Sequence, residues 1–360
     1  MLKNNIKVAW RNLWKNKVYT AINILGLTVG ISVALLLYRI VNYELSFNKS
    51  FAEYDRIVRV VAQETEADGD IDFNPGLPIP AMDEIQASVP QFVATSKVHE
   101  TWSILTVPDP SANAPLKKFR LEDAQTALFV ESEFFDIFDI EWQEGTVVPD
   151  FSAPGMIALS ETWAKKAFGS TVAAIGQTVL LDNIVPTKVI AIFADLSSDV
   201  DFAFPYLVSY PTVEKNADVL GYDNEWGSVS SNDQFYALLE SREQWESVNT
   251  ILASVGRKQY TQRGRQGRVH ELQAISEMHY NEELQHSGSH RTSIGELRVL
   301  GCVGLLILLI GCFNFINLAT AQASLRSQEV GVRKVLGSNK GQLIVQFMSE
   351  TVLIVAIAVV

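Results

Sequence analysis

The sequence is poor in residues that carry covalent and redox chemistry. Its 360 residues hold two cysteines, Cys302 and Cys312, both in one apolar run. Ten positions apart on a helix they are separated by about 15 Å of rise, which excludes a disulfide between them. Residues 44–297 contain no cysteine, so whatever they build is held by its own core, for which about 250 residues is ample. No phosphate loop occurs. Gly26-Leu-Thr-Val-Gly30 and Gly337-Ser-Asn-Lys-Gly341 do not fit G-x-x-x-x-G-K-[ST], and neither follows a strand. A G-x-S-x-G elbow is also missing. His279, His286 and His290 lie near Glu282 and Glu283 in MHYNEELQHSGSH, yet their spacing matches neither a zincin nor a zinc finger. They read as solvated surface. Pairs such as Asp199/Asp201 are expected by chance where acid is abundant. The sequence therefore predicts no catalytic residue, no metal and no cofactor.

Charge is missing from three long stretches. Val18–Val41 carries only Arg39, Val299–Ala323 carries none, and Leu343–Val360 carries only Glu350. The first two are long enough to cross the roughly 30 Å hydrocarbon core as helices. The first is too long for a signal-peptide h-region and no cleavage site follows it. The third stops on the last residue, so the sequence reads as a fragment ending inside a membrane helix. The net charge of −12 divides unevenly: residues 1–43 hold six bases and no acid, whereas residues 44–297 hold 39 Asp/Glu against 18 Lys/Arg. Short basic flanks mark the cytoplasmic side, which places the N-terminus and residues 326–342 inside and the acidic middle outside. A nucleic-acid partner is excluded by that acidity.

In residues 1–17, Lys3, Lys7, Arg11 and Lys15 recur every four positions, with Leu2, Ile6, Trp10 or Leu13, and Trp14 on a neighbouring stripe. This predicts an amphipathic helix in the membrane interface, facing lipid headgroups. Gly26 and Gly30 form a small-xxx-small pair suited to close helix approach, and Asn314 and Asn317 lie one turn apart where polar side chains usually bond across helices. The acidic region mixes patterns. Arg56–Gln63 reads as a strand, Pro78–Val89 as a helix, Gln91–Val107 as one or two strands and Thr178–Phe193 as a hairpin turning at Asn183. Ser160 caps a helix Glu161–Phe168 closed by Gly169, Phe235–Leu239 reads as a strand, and Arg242–Tyr260 as a helix. Without a regular βαβ period this is an α+β domain in two lobes.

Between the second and third apolar runs lies RSQEVGVRKVLGSNKGQL, too short for a domain but long enough for one helix and a turn. Glu329 and Arg333 sit i,i+4 in the favourable order, Val332, Val335 and Leu336 make a small apolar face, Gly337 suits the C′ position and Ser338 caps the next helix.

These stretches closely resemble the MacB/FtsX-like permeases of ABC transporters. WRNLWKNKVYTAINILGLTVGIS is similar to that family's opening in its Gram-negative branch and QEVGVRKVLGSNKGQL to the segment linking its second and third membrane helices. SETWAKKAFGS, IGQTVLL, FAFPYLVSY and ISEMHY are similar to landmarks of its periplasmic core domain. The resemblance implies a multi-pass helical membrane protein with a large α+β extracytoplasmic domain, built of a porter-like lobe and a second mixed lobe. The implied organisation is an interfacial helix (1–17), a first membrane helix (18–41), the MacB-like core domain (42–297), a second membrane helix (298–323), a coupling loop (324–342) and a third membrane helix (343–360). It also implies a non-catalytic permease subunit of an efflux or export system, working as a homodimer or pseudo-dimer. A separate cytoplasmic ATP-binding subunit would drive it, and its further partners would be a periplasmic adaptor and an outer-membrane channel. Glu329, Val330, Val332, Arg333, Lys334, Leu336 and Gly337 would form the coupling helix, Arg333 and Lys334 pairing with acids on the ATPase. Family members have at least four membrane helices. The competing readings are a receptor with an extracytoplasmic ligand-binding domain, which would continue into a cytoplasmic signalling module, and an FtsX-like scaffold regulating cell-wall hydrolases, whose outer domain would be smaller.

Overall fold

A computed structural model of the chain describes all residues except 1, 66–68, 109–116, 121–125, 146–150, 202–203, 266, 282–283, 285–291, 326, 337–338 and 360, and the side chains of 2–6, 117, 144–145, 325, 328–329, 333 and 342 also lie outside it. Two compact units result: Met1–Leu45 with Ile294–Val360, and Ser46–Ser293.

The chain opens with helices α1 (Leu2–Lys15) and α2 (Lys17–Glu44). The second unit then runs through β1 (Ile57–Thr65), β2 (Ile71–Asn74), α3 (Ile79–Ser88), β3 (Phe92–Thr101), β4 (Ile104–Val107), β5 (Lys117–Arg120), β6 (Ala127–Val130), α4 (Phe134–Phe138), β7 (Trp142–Gly145), β8 (Met156–Ser160), α5 (Glu161–Phe168) and α6 (Thr171–Ala174). It continues with β9 (Thr178–Leu181), β10 (Val185–Phe193), β11 (Tyr206–Ser209), α7 (Tyr210–Lys215), α8 (Ala217–Leu220), β12 (Asp233–Leu239), α9 (Trp245–Leu252), α10 (Arg257–Gln262), β13 (Arg268–Ala274) and α11 (Ile275–Met278). Helices α12 (Ile294–Leu325), α13 (Ser327–Val335) and α14 (Lys340–Val359) complete the first unit.

Among the described residues the strands join in one sheet, ordered β13-β1-β12-β3-β6-β11-β8-β10-β9-β4-β5, with β2 added to β1 and β7 to β10. The two lobes read from the sequence therefore share a sheet. Strand β3 makes the join: it pairs with β12 along Phe92–His99 and with β6 from Val98 to Thr101. Two pairings, β11 with β6 and β10 with β8, are parallel. Side chains alternate across a strand, so β1 serves both faces. Val58 and Val60 pack with Met82, Ile85, Val248 and Leu252 from α3 and α9, while Ile57 joins Phe134, Phe138 and Phe193 on the other face. A third cluster gathers Phe129, Trp163, Val179, Ile192 and Tyr206.

Local chemistry explains the element ends. The Ser160 hydroxyl accepts from the Trp163 N–H, and Gly169 in the left-handed region closes α5. The β9–β10 turn uses Asp182 and Asn183, both at positive φ. The Asp182 carboxylate also accepts from the Ile104 N–H at 2.9 Å, docking the turn on β4. Arg242–Tyr260, expected as one helix, is instead a 3-10 turn, α9 and α10. The break falls at Gly256, whose φ is 69°. A Cβ there would lie 2.7 Å from the Tyr260 ring and 2.8 Å from the Trp226 ring, so the interruption lets those aromatic rings close over the backbone.

Candidate functional site

The sheet unit holds several buried titratable side chains. His279, read from the sequence as solvated, is 2 % exposed. Its Nδ1 lies 2.7 Å from the Asp201 carboxylate, and its ring stacks on Phe47 with centroids 3.7 Å apart. Asn48 completes the cluster, accepting from the Asp201 N–H at 2.9 Å and donating to the Ile275 carbonyl at 3.0 Å. The pattern of nearby polar residues conceals this burial because its partners, Asp201 and Phe47, are 78 and 232 positions away in sequence. His286 and His290 lie outside the described residues. A second buried pair joins His99 Nδ1 to Asp233 at 2.7 Å, with Nε2 on the Leu220 carbonyl. A third puts the Tyr260 hydroxyl 2.8 Å from His270 Nε2. Burial, and then the neighbouring Arg268, push the His270 pKa down to about 3. Arg59 is fully buried and donates to the side chains of Gln273 and Gln234; that burial pulls its pKa below the ordinary arginine value. Each of these groups is committed to another protein group and packs the interior.

The helical unit has a different character. Helices α2 and α12 each contain a stretch long and apolar enough to cross a membrane, and almost none of either stretch is buried. They meet along glycines. A Cβ on Gly30 would sit 3.6 Å from the Gly311 Cα, and one on Gly26 would sit 3.2 Å from Asn314 Nδ2. Gly304 faces Leu37 in the same way. The sequence signals Gly26 and Gly30; the matching Gly304 and Gly311, one heptad apart, were legible as small residues at coiled-coil spacing. Asn317 is exposed.

On α1, Lys7, Arg11 and Lys15 are exposed, and the Lys3 side chain is outside the described residues. Ala9 and Leu13 form its buried face, whereas Trp10 and Trp14, expected on the apolar stripe, stand outward at its edge, stacked 6.3 Å apart. Asn12 Nδ2 donates to Glu350 Oε1 at 2.6 Å, tying α1 to α14. Around that bond lies a cavity of about 270 Å³ lined by Asn12, Asn16, Thr20, Gln322, Glu350 and Val330 among others. Glu350, conspicuous in sequence as the one charge of its run, gave no hint of this partner 338 positions away.

Helix α13 occupies the segment between α12 and α14. The Val330 side chain turns toward the cavity just described, but Val332, Val335 and Leu336 are 60 %, 88 % and 79 % exposed, and Lys334 is exposed beside them. The Glu329 and Arg333 side chains and Gly337 lie outside the described residues. Val335, left out of the coupling set, is the most exposed of the three. Val332 and Val335 on α13 and Leu336 in the turn that follows it are left uncovered by the described residues.

The sequence matches the MacB-like periplasmic core domain over residues 20–255 and the FtsX-like permease C-terminal region over residues 301–360. The pyoverdine export ATP-binding/permease protein PvdT of Pseudomonas syringae pv. tomato is 23 % identical over 98 % of this chain and 50 % of its own length. The macrolide export ATP-binding/permease protein MacB of Escherichia coli K12 is 20 % identical over 97 % of this chain and 50 % of its own. The chain thus spans about half the length of these relatives. The crystal structure of the periplasmic region of MacB from Actinobacillus actinomycetemcomitans superposes with a TM-score of 0.40 at 13 % identity, covering 61 % of this chain and 90 % of that one. The match to the MacB-like core domain takes in more than half of the chain, and the chain belongs to that family of ABC transporter permeases.

Proposed function

We propose that this chain is the permease subunit of an ABC-type export system, in which α13 docks on an ATP-binding subunit carried by a separate chain. The observation that carries this reading is the exposed triplet of Val332 and Val335 on α13 and Leu336 in the turn after it, between two apolar helices. Apolar side chains flanked by Lys334 suit a groove with an acidic rim. Helices α2, α12 and α14 cross the inner membrane; their exposed leucines and valines have lipid as their natural cover. By the charge of the short flanks, α1 and α13 are cytoplasmic and the sheet unit is periplasmic.

In this reading ATPase closure moves α13. Val330 of that helix lines the same cavity as Asn12 and Glu350, so a displacement of α13 reshapes a space that it shares with α1 and α14. The sheet unit then moves as the working part outside, as a dimer and with periplasmic and outer-membrane partners. No step of this work requires chemistry on the chain itself.

Two experiments test the proposal. Reporter fusions near residue 150 should be active only outside the cytoplasm; a cytoplasm-restricted reporter that works there contradicts the orientation. Arg333→Glu with Lys334→Glu should abolish pull-down of the partner ATPase, and undiminished binding removes those two side chains from the contact.

A further inference from the structure

We infer that the groove between α1 and α2 is a site for one anionic phospholipid. The inference rests on the reading that α2 crosses a membrane. The groove encloses about 520 Å³, and its wall is almost wholly apolar: Leu13 and Trp14 of α1, and Ala21, Ile24 and Leu25 of α2. Helix α14 contributes Ile357 to the lining. Among the described residues, the lining's polar side chains are Lys17 and Thr20, with Trp10 also lining it. Such a lining suits hydrocarbon and offers few hydrogen bonds to a protein segment.

The mouth of the groove specifies the headgroup. The Lys17 ammonium lies over the Trp14 ring, 5.3 Å from its centroid, a cation–π contact that holds the charge at the rim. Lys7, Arg11 and Lys15 are exposed along α1, and residues 1–43 contain no acid, so nothing on this stretch of chain neutralises them. Half-exposed, stacked indoles at the same level are the side chains that settle at the boundary between headgroups and acyl chains. An acyl chain in the groove with its phosphate at Lys17 satisfies both halves of the site. A zwitterionic lipid supplies the chain without net charge, and a second copy of this chain brings the same row of bases and is repelled.

The test is tryptophan quenching by brominated lipid, with the full chain reconstituted in vesicles. Brominated phosphatidylglycerol and brominated phosphatidylcholine are compared at equal mole fraction and equal total surface charge. The site predicts stronger quenching of Trp10 and Trp14 by the anionic lipid. Lys17→Gln should reduce that preference about fivefold, the factor for one basic side chain near an anionic surface. Ala21→Phe, which fills the groove, should remove the preference while the vesicle-bound chain keeps its helical circular dichroism. Lys17→Gln leaves the apolar wall intact and serves where Ala21→Phe fails to fold. Equal quenching by the two lipids, an unchanged preference in Lys17→Gln, or quenching that disappears as the chain is concentrated and copies cover the groove, each overturns the inference while leaving the membrane reading in place. Absence of quenching by either lipid overturns the membrane reading as well.

Discussion

Phe129 and Phe313 are the same side chain in opposite surroundings. The first is fully buried beneath the sheet, while the second stands 60 % exposed on α12. Every large apolar residue of β1 and β12 follows Phe129, as do Ile157 and Leu159 of β8, whereas Leu25, Val29, Leu35, Leu305, Ile310 and Ile316 follow Phe313. The sheet unit supplies its own apolar interior and tolerates charge inside only when it is bonded, as at Arg59 and at His279 with Asp201. The helical unit packs through glycine contacts and the Asn12–Glu350 bond, and leaves many of its large side chains exposed. Apolar side chains thus fold one region against itself and in the other are left to be covered from outside.

That contrast can be broken or sharpened by substitution. Phe129→Ala should cost the sheet unit about 3–5 kcal/mol, read as a loss of denaturation midpoint in the full chain. A change below 1 kcal/mol would remove the distinction. Acid should weaken the same unit next. The His270 pKa is depressed to about 3 in the folded protein, so the unfolded chain takes up a proton near pH 6.5 that the folded one refuses. The stability is complete above about pH 6.5 and falls by about 1.4 kcal/mol per pH unit toward about pH 3. His270→Gln should flatten that slope, and an unaltered slope assigns it to other groups. Gly30→Leu comes third. It forces α2 away from Gly311 and should cost about 1–3 kcal/mol of helix packing, measured as increased detergent sensitivity of an α2–α12 cross-link. Smallest is Phe313→Ala, which should stay within about 0.5 kcal/mol because its surroundings are lipid in either state. A large loss there would show a protein neighbour on that face.

How much of this was legible depended on the distance over which each feature acts. The Ser160 cap, the Gly169 closure and the Asn183 turn depend on a few consecutive residues, and the sequence displays them. The apolar runs are long enough to announce themselves. The continuous sheet was hidden because its central pairings, β6 with β11 and β3 with β12, bring together segments nearly 80 and more than 130 positions apart. Burial of His279 was hidden for the same reason. The break at Gly256 was missed because a lone glycine in a helical pattern is tolerated often enough to pass; the crowding of Tyr260 and Trp226 that demands it exists only in three dimensions. In the helical unit, Gly26 and Gly30 were readable, but the bond from Asn12 to Glu350 joins opposite ends of the chain. On α13 the apolar face was visible in the sequence, while Val335 emerged as its most exposed member only from the fold.

The claim on which the rest depends is that α13 is the point of contact with an ATPase. A photoreactive amino acid placed at position 335 in the full chain, with the same group at position 310 as the lipid-facing control, tests it directly in native membranes. The account predicts a cross-link from position 335 to an ATP-binding subunit and none from position 310. Capture of that subunit from both positions, or from position 310 alone, or no capture from 335 under conditions where the two proteins co-purify, would contradict it.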